Sequence, residues 1–414
     1  MTNRHFSVAI AAATLAATGC GHSSARHLPT PDPSVVSKSP AVATVADANT
    51  DFTFRLLKRL TSKEPGKNVF MSPYSITNAL SVLMNGAAGK TQSEIESTLG
   101  LGSTPIATVN GGNQLLLPSL SDPDPKVKLS IANAIWASKG KFPAAFKQTV
   151  SACYDANAQD LDLTGPTAAD TINKWVSDNT EGKIDQIVSK DDLVWATTVI
   201  TDAVYFHGHW SKEFDKSSTQ SAPFHLEDGK DKTVPLMSNE SGIRYCQTAQ
   251  FQACELTYGD GRIGYYIVLP KPGVKLADVI KGMDAKSWGK AMASMKPDDV
   301  QIYLPRFHAN YAASLNDPLR NMGMPLAFDD KRADLSPMGA GGSYISAVYH
   351  KAVIDVDEEG TTAAAATGIV ASETAMRLPG TIVRVDHPFF CSIRDNLTGT
   401  ILFAGAIYDP QPIK

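Results

Sequence analysis

The sequence predicts a single large domain of the α+β class, with helices concentrated in the first half and strands in the second. Apolar residues recur at helical spacing at Phe52, Leu56 and Leu60. From about residue 197 onward, β-branched and aromatic runs bounded by Gly, Pro and Asp dominate. Neither an internal repeat nor a break in composition interrupts residues 50 to 410, so one domain is the simplest organisation.

The composition indicates a protein with a sizeable core and no nucleic-acid partner. The chain has 414 residues, of which 43% are hydrophobic and 19% are charged. A formal net charge of -4 and the lack of a dense basic run argue against nucleic-acid binding. No apolar stretch reaches the roughly 20 residues that span a bilayer. We expect no cofactor and no metal.

The N-terminus has the pattern of an export signal. Arg4 and His5 precede an Ala-rich apolar stretch over residues 6–17, and small residues lead up to Cys20. Residues 1–19 are therefore expected to be a signal peptide. The ending "LAATGC" resembles a bacterial lipoprotein signal, which implies that Cys20 is acylated as the first residue of the mature chain.

The segment that begins at Cys20 is expected to be a flexible tether. Residues 20–45 are rich in Pro, Ser and Ala. The folded domain is then expected to occupy residues 46–414. We expect the protein to be exported, either lipid-anchored to the cell envelope, in the periplasm or at the cell surface, or extracellular.

Four further cysteines remain in the expected mature chain. No two of them form a CxxC pair, which argues against a zinc or thioredoxin-like site. An exported compartment permits a disulfide, but the sequence assigns no pairing and buried free thiols are the default expectation. These residues are Cys153, Cys246, Cys254 and Cys391.

Two local signals predict helix starts in the first half. Ser72 followed by Pro73 is typical of an N-cap with Pro at the first helical position. Thr91 with Glu94 has the spacing of a capping box. The predicted helices that follow the one around Leu56 cover about 72–84, about 91–100 and 168–178.

The second half predicts strands and one hairpin. The hairpin joins residues 388–395 to residues 399–409 through a turn at Asn396 to Gly399. The four clearest single strands are "TTVITDAVYF", "GRIGYYIVLP", "DDVQIYLPRF" and "AVYHKAVIDV".

Two patterns with catalytic or binding associations carry little weight. Residues 85–91, "NGAAGKT", end like a phosphate loop, but Met84 stands where the first Gly is required and a helix leads in. His207 and His209 could supply two metal ligands, and His225 is a further candidate. No third ligand lies at the definable spacing of a zinc site, so a surface turn is the better interpretation.

Two polar residues lie on otherwise apolar strand faces. These residues are Asp202 and His350. Burying either side chain without a hydrogen-bond partner costs several kcal/mol, so we expect the two to contact each other. With Ser72 or Ser75 nearby they make a Ser/His/Asp set, which raises a hydrolase hypothesis. The chain contains no G-x-S-x-G elbow and Ser72 suits a helix cap, so a structural hydrogen-bond cluster is favoured. The apolar neighbours are Ile200, Val204 and Phe206 for Asp202, and Val348, Ala352, Ile354 and Val356 for His350.

Five blocks of sequence follow one another in the order and spacing of a known family. Together they resemble the serpins over roughly residues 46 to 412. The blocks are "NVFMSPYSITNALSVLMNGAAGKTQSEI", "NKWVSDNTEGKIDQIV", "VITDAVYFHGHWSKEF", "VYHKAVIDVDEEGTTAAAATG" and "VDHPFFCSIRDNLTGTILFAGAIYDP".

The resemblance implies a fold and an activity. It implies the serpin fold, with three β-sheets, eight or nine helices and an exposed reactive-centre loop. It also implies a suicide substrate and not an enzyme. A target serine protease cleaves the loop, becomes acylated and is distorted when the loop inserts as a new strand of the main sheet. The implied partner is that protease, and the chain is expected to be a monomer.

The segment "DEEGTTAAAATGIVASETAMRLPG", residues 357–380, corresponds to this loop. Its start resembles the hinge of inhibitory members, because Gly360 permits unusual backbone geometry and the residues that would alternate towards the core are small. The hinge residues are Glu358, Glu359, Gly360, Thr361, Thr362, Ala363, Ala364, Ala365 and Ala366.

Family spacing places the cleaved bond near the end of the loop. Counting 14 residues on from Gly360, or 14 back from Pro388, reaches Thr374, so the preferred bond is Thr374-Ala375. The spacing of shorter-loop members gives Arg377-Leu378 instead, and Met376 lies between the two bonds. Thr374 predicts elastase- or subtilisin-like targets, whereas Arg377 predicts trypsin-like ones.

The resemblance also assigns residues to the region where sheet strands part. The "shutter" maps onto Ser72, Ser75, Asp202 and His350, and the "breach" tryptophan at the top of the sheet onto Trp210. The family usually has Asn where Asp202 stands. An Asp beside a His predicts that loop insertion is more pH-sensitive than usual.

Other functions remain open from the sequence alone. One is a non-inhibitory serpin that acts as a binding or chaperone-like protein. Another is cross-class inhibition of a cysteine protease. The third is the hydrolase built on the Ser/His/Asp set. Non-inhibitory relatives commonly carry bulky, charged or Pro residues in the hinge, whereas residues 361–366 of this chain are only Thr and Ala.

Overall fold

The fold was analysed in a computed structural model of the chain. It describes residues 30–138, 142–361 and 380–413. The expected signal peptide, Cys20 and the loop residues 362–379 lie outside the described residues.

The helices of the described residues lie mainly in the first half, as the sequence predicts. Ser72 is the N-cap of α3, because its Oγ accepts a hydrogen bond from the Ser75 amide at 3.3 Å. The helices are α1 (Pro33–Lys38), α2 (Pro40–Lys63), α3 (Pro73–Asn85), α4 (Gly89–Leu99), α5 (Ile106–Ser121), α6 (Ala144–Tyr154), α7 (Ala168–Asn179), α8 (Leu276–Gly282), α9 (Ala285–Ser294) and α10 (Asn316–Met322).

The strands dominate the second half and include all four predicted single strands and the predicted hairpin. They are β1 (Val69–Met71), β2 (Val127–Ala137), β3 (Asn157–Asp160), β4 (Thr198–His209), β5 (Gln220–His225), β6 (Asp231–Gln247), β7 (Phe251–Tyr258), β8 (Ile263–Pro270), β9 (Lys296–Pro305), β10 (Phe307–Ser314), β11 (Ala347–Val356), β12 (Gly360–Thr361), β13 (Thr381–Arg384), β14 (Phe389–Asp395) and β15 (Ile401–Ile407).

Hydrogen bonding joins the described strands into two sheets. A nine-stranded sheet has the order β1-β15-β14-β8-β7-β6-β9-β13, with β5 added on β6. Its 17-residue strand β6 pairs along its length first with β5, then with β9 and then with β7. It therefore joins the strands at its two ends into one sheet. The resemblance implies three sheets, and this long strand is the reason that two of them are continuous here.

The six-stranded sheet positions the candidate site. Its order is β10-β11-β12-β4-β2-β3, and β11 also pairs directly with β4. The β11–β4 pairing is parallel and runs from Ala347 opposite Val199 to Val353 opposite Tyr205. At the upper end the two-residue strand β12 lies between them, with Gly360 opposite His209 and Thr361 opposite Val356. We call the line where β4 and β11 meet the seam.

Both faces of the six-stranded sheet are covered. On the inner face α3 contacts β4 and also β15 of the other sheet, so the main core lies between the two sheets. On the outer face α7 and the segment that follows it pack on β2 and β4 through two smaller clusters, which include Ile172 and Ile184.

Three expectations about boundaries and caps need correction. The sequence predicts a flexible tether up to residue 45, whereas the chain is helical from Pro33, where Asp32 caps α1. Thr91 and Glu94 form no capping box, because α4 begins at Gly89 without a side-chain cap. Their oxygens instead accept hydrogen bonds from the distant amides of Asp334 and Leu326. The described residues contain ten α-helices, against the eight or nine implied, and the short α1 is among them.

Two further observations concern the described part of the chain. None of its helices combines the length and apolarity needed to cross a bilayer. All four of its cysteines are free thiols; Cys246, Cys254 and Cys391 are buried, while Cys153 is partly exposed.

Candidate functional site

The seam is crossed by a buried pair that the strand pattern predicts. Asp202 of β4 and His350 of β11 lie directly opposite each other, and Asp202 Oδ2 is 2.9 Å from His350 Nδ1. Both side chains are fully shielded from solvent. The predicted contact between them is therefore confirmed.

Hydrogen bonds around the pair fix its tautomer. The Ser72 amide donates to His350 Nε2 at 3.2 Å, so Nε2 carries a lone pair and no proton. Nδ1 must then carry the proton and donate it to Asp202. The imidazole is neutral in this arrangement, and the negative charge of the cluster resides on Asp202.

The other oxygen of Asp202 is occupied by a hydroxyl. Ser75 Oγ donates to Asp202 Oδ1. Asn133 of β2, which lies opposite Asp202, adds a bond from its Nδ2 to the Ser75 carbonyl at 3.0 Å. We call Ser72, Ser75, Asn133, Asp202 and His350 the shutter cluster. Every carboxylate oxygen in it has a donor, as burial requires.

The geometry of the shutter cluster differs from that of a catalytic triad. In a triad the imidazole lies between the hydroxyl and the carboxylate and accepts the hydroxyl proton. Here Asp202 lies between Ser75 and His350, and the Ser72 hydroxyl donates to the Leu402 carbonyl at 2.6 Å. Neither hydroxyl bonds to the imidazole, and both serines are buried. The arrangement suits a structural cluster, the favoured interpretation.

Asn133 was missed at the sequence level although a signal for it exists. It shares a strand face with the apolar Leu129, Ile131 and Ile135 in β2. This is the same alternation that singles out Asp202 and His350. The predicted strands do not include β2, so the alternation does not single out Asn133 in the sequence.

The upper end of the seam is closed by an aromatic stack. Trp210, directly after β4, stacks on Tyr258 with ring centroids 4.3 Å apart. Its Nε1 donates to the Asp357 carbonyl at 2.8 Å, and its amide donates to the Glu359 carbonyl at 3.0 Å. Trp210 thus holds the chain that leads into the hinge.

Tyr258 extends this contact to the first hinge residues. Its hydroxyl is 2.6 Å from Thr361 Oγ1, and both groups are buried. Burial raises the pKa of Tyr258 well above its ordinary value, so the hydroxyl stays protonated and able to donate. Thr361 is therefore seated in the sheet by a specific hydrogen bond.

The acidic residues before Gly360 are held by side chains from distant segments. Glu358 is buried, and its Oε1 accepts a bond from Thr219 at 2.7 Å while Oε2 lies 3.7 Å from Arg306. Glu359 pairs with Lys216. These contacts tie the start of the hinge to the segment between β4 and β5 and to the start of β10.

Asp357 completes the turn into β12. Its Oδ1 accepts hydrogen bonds from the amides of Glu359 and Gly360, each at 3.0 Å. Burial raises the pKa of Asp357, and the neighbouring Glu358 and Glu359 add to this effect. The turn is therefore a compact acidic segment in which each carboxyl group has a defined partner.

Gly360 is required by close approach of two strands. A Cβ at this position would lie 2.0 Å from the Gly208 carbonyl oxygen in β4. Any side chain would push β12 away from β4. The sequence predicts a special backbone position here, and the structure gives the reason as lack of space.

Several predicted site residues lie outside the described residues. They comprise the later part of the hinge, the residues around both candidate bonds and the lipidation site. They are Thr362, Ala363, Ala364, Ala365, Ala366, Thr374, Ala375, Met376, Arg377, Leu378 and Cys20.

The weaker candidates lie elsewhere. The rings of His207 and His209 pack edge-on with centroids 5.0 Å apart, and His225 pairs with Asp231. Among the described residues no group of three or more His, Cys, Asp or Glu is placed to hold a metal. Residues 85–91 connect α3 to α4 and no strand leads into them.

The arrangement can admit a further strand. β4 and β11 are joined along the seam by one parallel ladder, and β12 already separates them at the top. A strand inserted between them would form two antiparallel ladders, which are slightly more stable per residue than a parallel one. Insertion would also pull Asp202 and His350 apart, because they are opposite partners across the seam.

Comparisons with known proteins agree with this geometry. The model of one family, described as serpin (serine protease inhibitor), matches residues 47–410. The chain is 35% identical over 375 residues to serpin A3-6 of Bos taurus, covering 89% of each chain. It is 36% identical over 373 residues to an uncharacterized serpin-like protein of Thermococcus kodakarensis, covering 89% of this chain and 86% of that one.

A solved structure gives the same result for the fold. Human thyroxine-binding globulin complexed with thyroxine matches with a TM-score of 0.82 at 29% identity, covering 90% of this chain and 100% of that one. The match confirms the predicted serpin fold. On its fold, its family match and its relatives, the chain belongs to the serpins, a family whose members are typically serine protease inhibitors.

Proposed function

We propose that the chain is an inhibitory serpin that acts as a suicide substrate for a serine protease. The observation that carries this proposal is the position of β12. Gly360 and Thr361 already lie between β4 and β11, so the hinge has entered the seam that a cleaved loop would extend into. This placement gives an inserting strand its starting point.

The residues after Thr361 suit the rest of the path. In an inserted strand, alternate side chains from Thr361 onward face the core, and those at 363, 365 and 367 are Ala, Ala and Thr. Small side chains avoid the overpacking that a filled interior resists. Insertion therefore requires little rearrangement of the core below the seam.

The proposed target is a protease with a small specificity pocket. Thr374 on the amino side of the preferred bond, Thr374-Ala375, suits elastase- or subtilisin-like enzymes. Cleavage at Arg377-Leu378 would indicate a trypsin-like enzyme instead. The protease serine would attack the loop carbonyl, release the C-terminal peptide and remain linked as an ester while the loop inserts.

We also propose that the protein acts outside the cytoplasm, on the basis of residues 1–19 and Cys20. A lipid on Cys20 would anchor the mature chain in the cell envelope. The variant Cys20→Ser should then leave the membrane fraction and appear among the released proteins. An unchanged distribution would remove the lipid from the proposal.

A panel of proteases tests the inhibitory mechanism. We expect elastase and subtilisin to form complexes that survive SDS, because the acyl bond is covalent, and the released peptide should begin at Ala375. A peptide beginning at Leu378 would move the bond to Arg377. If every enzyme, cysteine proteases included, only cleaves the loop with turnover, the inhibitory proposal fails and a non-inhibitory binding role replaces it.

Thr361→Arg should convert the inhibitor into a substrate. Thr361 is buried beside Tyr258, so an unpaired guanidinium there opposes insertion by about 3 kcal/mol. This corresponds to insertion about a hundredfold slower, which lets the protease hydrolyse the ester first. The measurement is the ratio of complex to cleaved serpin on a denaturing gel.

The matched control for this substitution is Thr362→Arg. In an inserted strand residue 362 would face the side opposite to Thr361 and lie level with His207, which is partly exposed, so the same charge should be tolerated there. Equal loss of complex in both variants would show that charge in the hinge matters and burial does not, which contradicts the proposed insertion.

Loop insertion should depend on pH between 5 and 8. Insertion separates β4 from β11 and so breaks the buried contact between Asp202 and His350. The measurement is the rate of inhibition at each pH. Asp202 and His350 are the two titratable members of the shutter cluster.

The variant Asp202→Asn should lose most of this pH dependence. Comparing its inhibition rate with that of the parent protein at each pH cancels the pH profile of the protease. Asp355→Asn is the control, because Asp355 pairs with His308 at 2.6 Å across β10 and β11, which stay together. A flat profile for the parent protein would contradict a role for the Asp202–His350 pair.

A further inference from the structure

The register at the top of the seam fixes where an inserted loop would end. β12 is antiparallel to β4, with Gly360 opposite His209 and Thr361 opposite Gly208. Each later loop residue therefore meets the residue one position earlier in β4. Continued down the strand, this register places residue 371 opposite Thr198, where β4 begins.

The acylated residue would emerge just beyond that point. Three more residues bring Thr374 level with Trp195, and cleavage at Arg377 would bring that residue level with Asp192. Either bond delivers the attached protease to the segment that precedes β4. This step rests on the proposed function.

Trp195 is unusually exposed for its residue type. Its relative accessibility is 87%, whereas Trp136, Trp210 and Trp288 are buried. Val194 beside it is 47% exposed. Of the four large hydrophobic residues that are exposed in the described part of the chain, two are thus adjacent and lie level with the end of the path.

Hydrogen bonds and burial hold both ends of this segment. Thr197 donates from its amide to Ser346 Oγ at 2.9 Å and from its hydroxyl to the Tyr344 carbonyl at 3.1 Å. Leu193, on the other side, is buried in the cluster beneath α7. Val194 and Trp195 are therefore presented from a short segment that is fixed at both ends.

We propose that Val194 and Trp195 form a contact surface for the trapped protease at the end of loop insertion. Tryptophan is the residue type most enriched among strong contributors to protein interfaces, because a large rigid apolar area is covered at low entropic cost. In the described part of the chain Trp195 buries little of its surface. It becomes useful when a second protein arrives there.

The surface acts on the lifetime of the complex and not on its formation. The ester between the protease serine and Thr374 ends when water attacks its carbonyl, which frees the serine hydroxyl and leaves a carboxylate on Thr374. Contact with Val194 and Trp195 holds the protease in its displaced position and so opposes recovery of the geometry needed for this attack. The first encounter involves the uninserted loop and does not reach residue 195.

The kinetic test uses Trp195→Ala with pancreatic elastase and subtilisin. We expect the association rate and the stoichiometry of inhibition to remain unchanged, while active protease is released about tenfold sooner from the complex. Val194→Ala should shorten the lifetime less. Val35→Ala is its matched control, because Val35 in α1 is 52% exposed and should leave the lifetime unchanged.

A spectroscopic test reports contact directly. The difference in acrylamide quenching between the parent protein and Trp195→Phe isolates the emission of Trp195 and cancels that of the protease. Trp195 should be accessible in the native protein and after cleavage of the loop by a protease that is not retained. It should be shielded only in the covalent complex.

The outcomes separate the two proposals. If no SDS-stable complex forms, the inhibitory function fails and the contact surface fails with it. If the complex forms but Trp195 stays accessible and both lifetimes are equal, the inhibitory function stands and the contact surface is overturned. A shielded Trp195 with a shortened lifetime in Trp195→Ala supports the surface.

Discussion

The direct pairing of β11 with β4 is the constraint on which the rest of the structure depends. It sets Asp202 opposite His350, and in the described part of the chain Gly360 and Thr361 of β12 lie between the two strands at the top. The buried carboxylate and imidazole need each other because neither has solvent as an alternative. The pair thus stabilises the closed seam, and the same pair must be broken when a strand enters.

The sequence predicts this site because strand faces alternate. A polar residue on an apolar face stands out in any well-defined strand, and Asp202 and His350 do so. The same rule applies to Asn133, but the sequence marks β2 as a strand less clearly than β4 and β11. The order of helices and strands is predictable for the same reason, since the periods of 3.6 and 2 are properties of the chain itself.

The contacts that hold the hinge cannot be predicted from the alternation of strand faces. Lys216, Thr219 and Arg306 reach the acidic residues before Gly360 from segments far away in the chain, and nothing in their local sequence marks them. The failed capping box has a similar cause, because Thr91 and Glu94 bond to distant amides. The exposure of Trp195 is equally hidden, since apolar residues are ordinarily assigned to the core.

The single parallel ladder along the seam bears on the kinetic stability of the protein. The proposed insertion would replace this ladder with two antiparallel ladders, so the form described here would be held by a kinetic barrier. Its apparent melting temperature would then depend on the heating rate. Substitutions at the seam would lengthen or shorten the lifetime of this form without changing the fold.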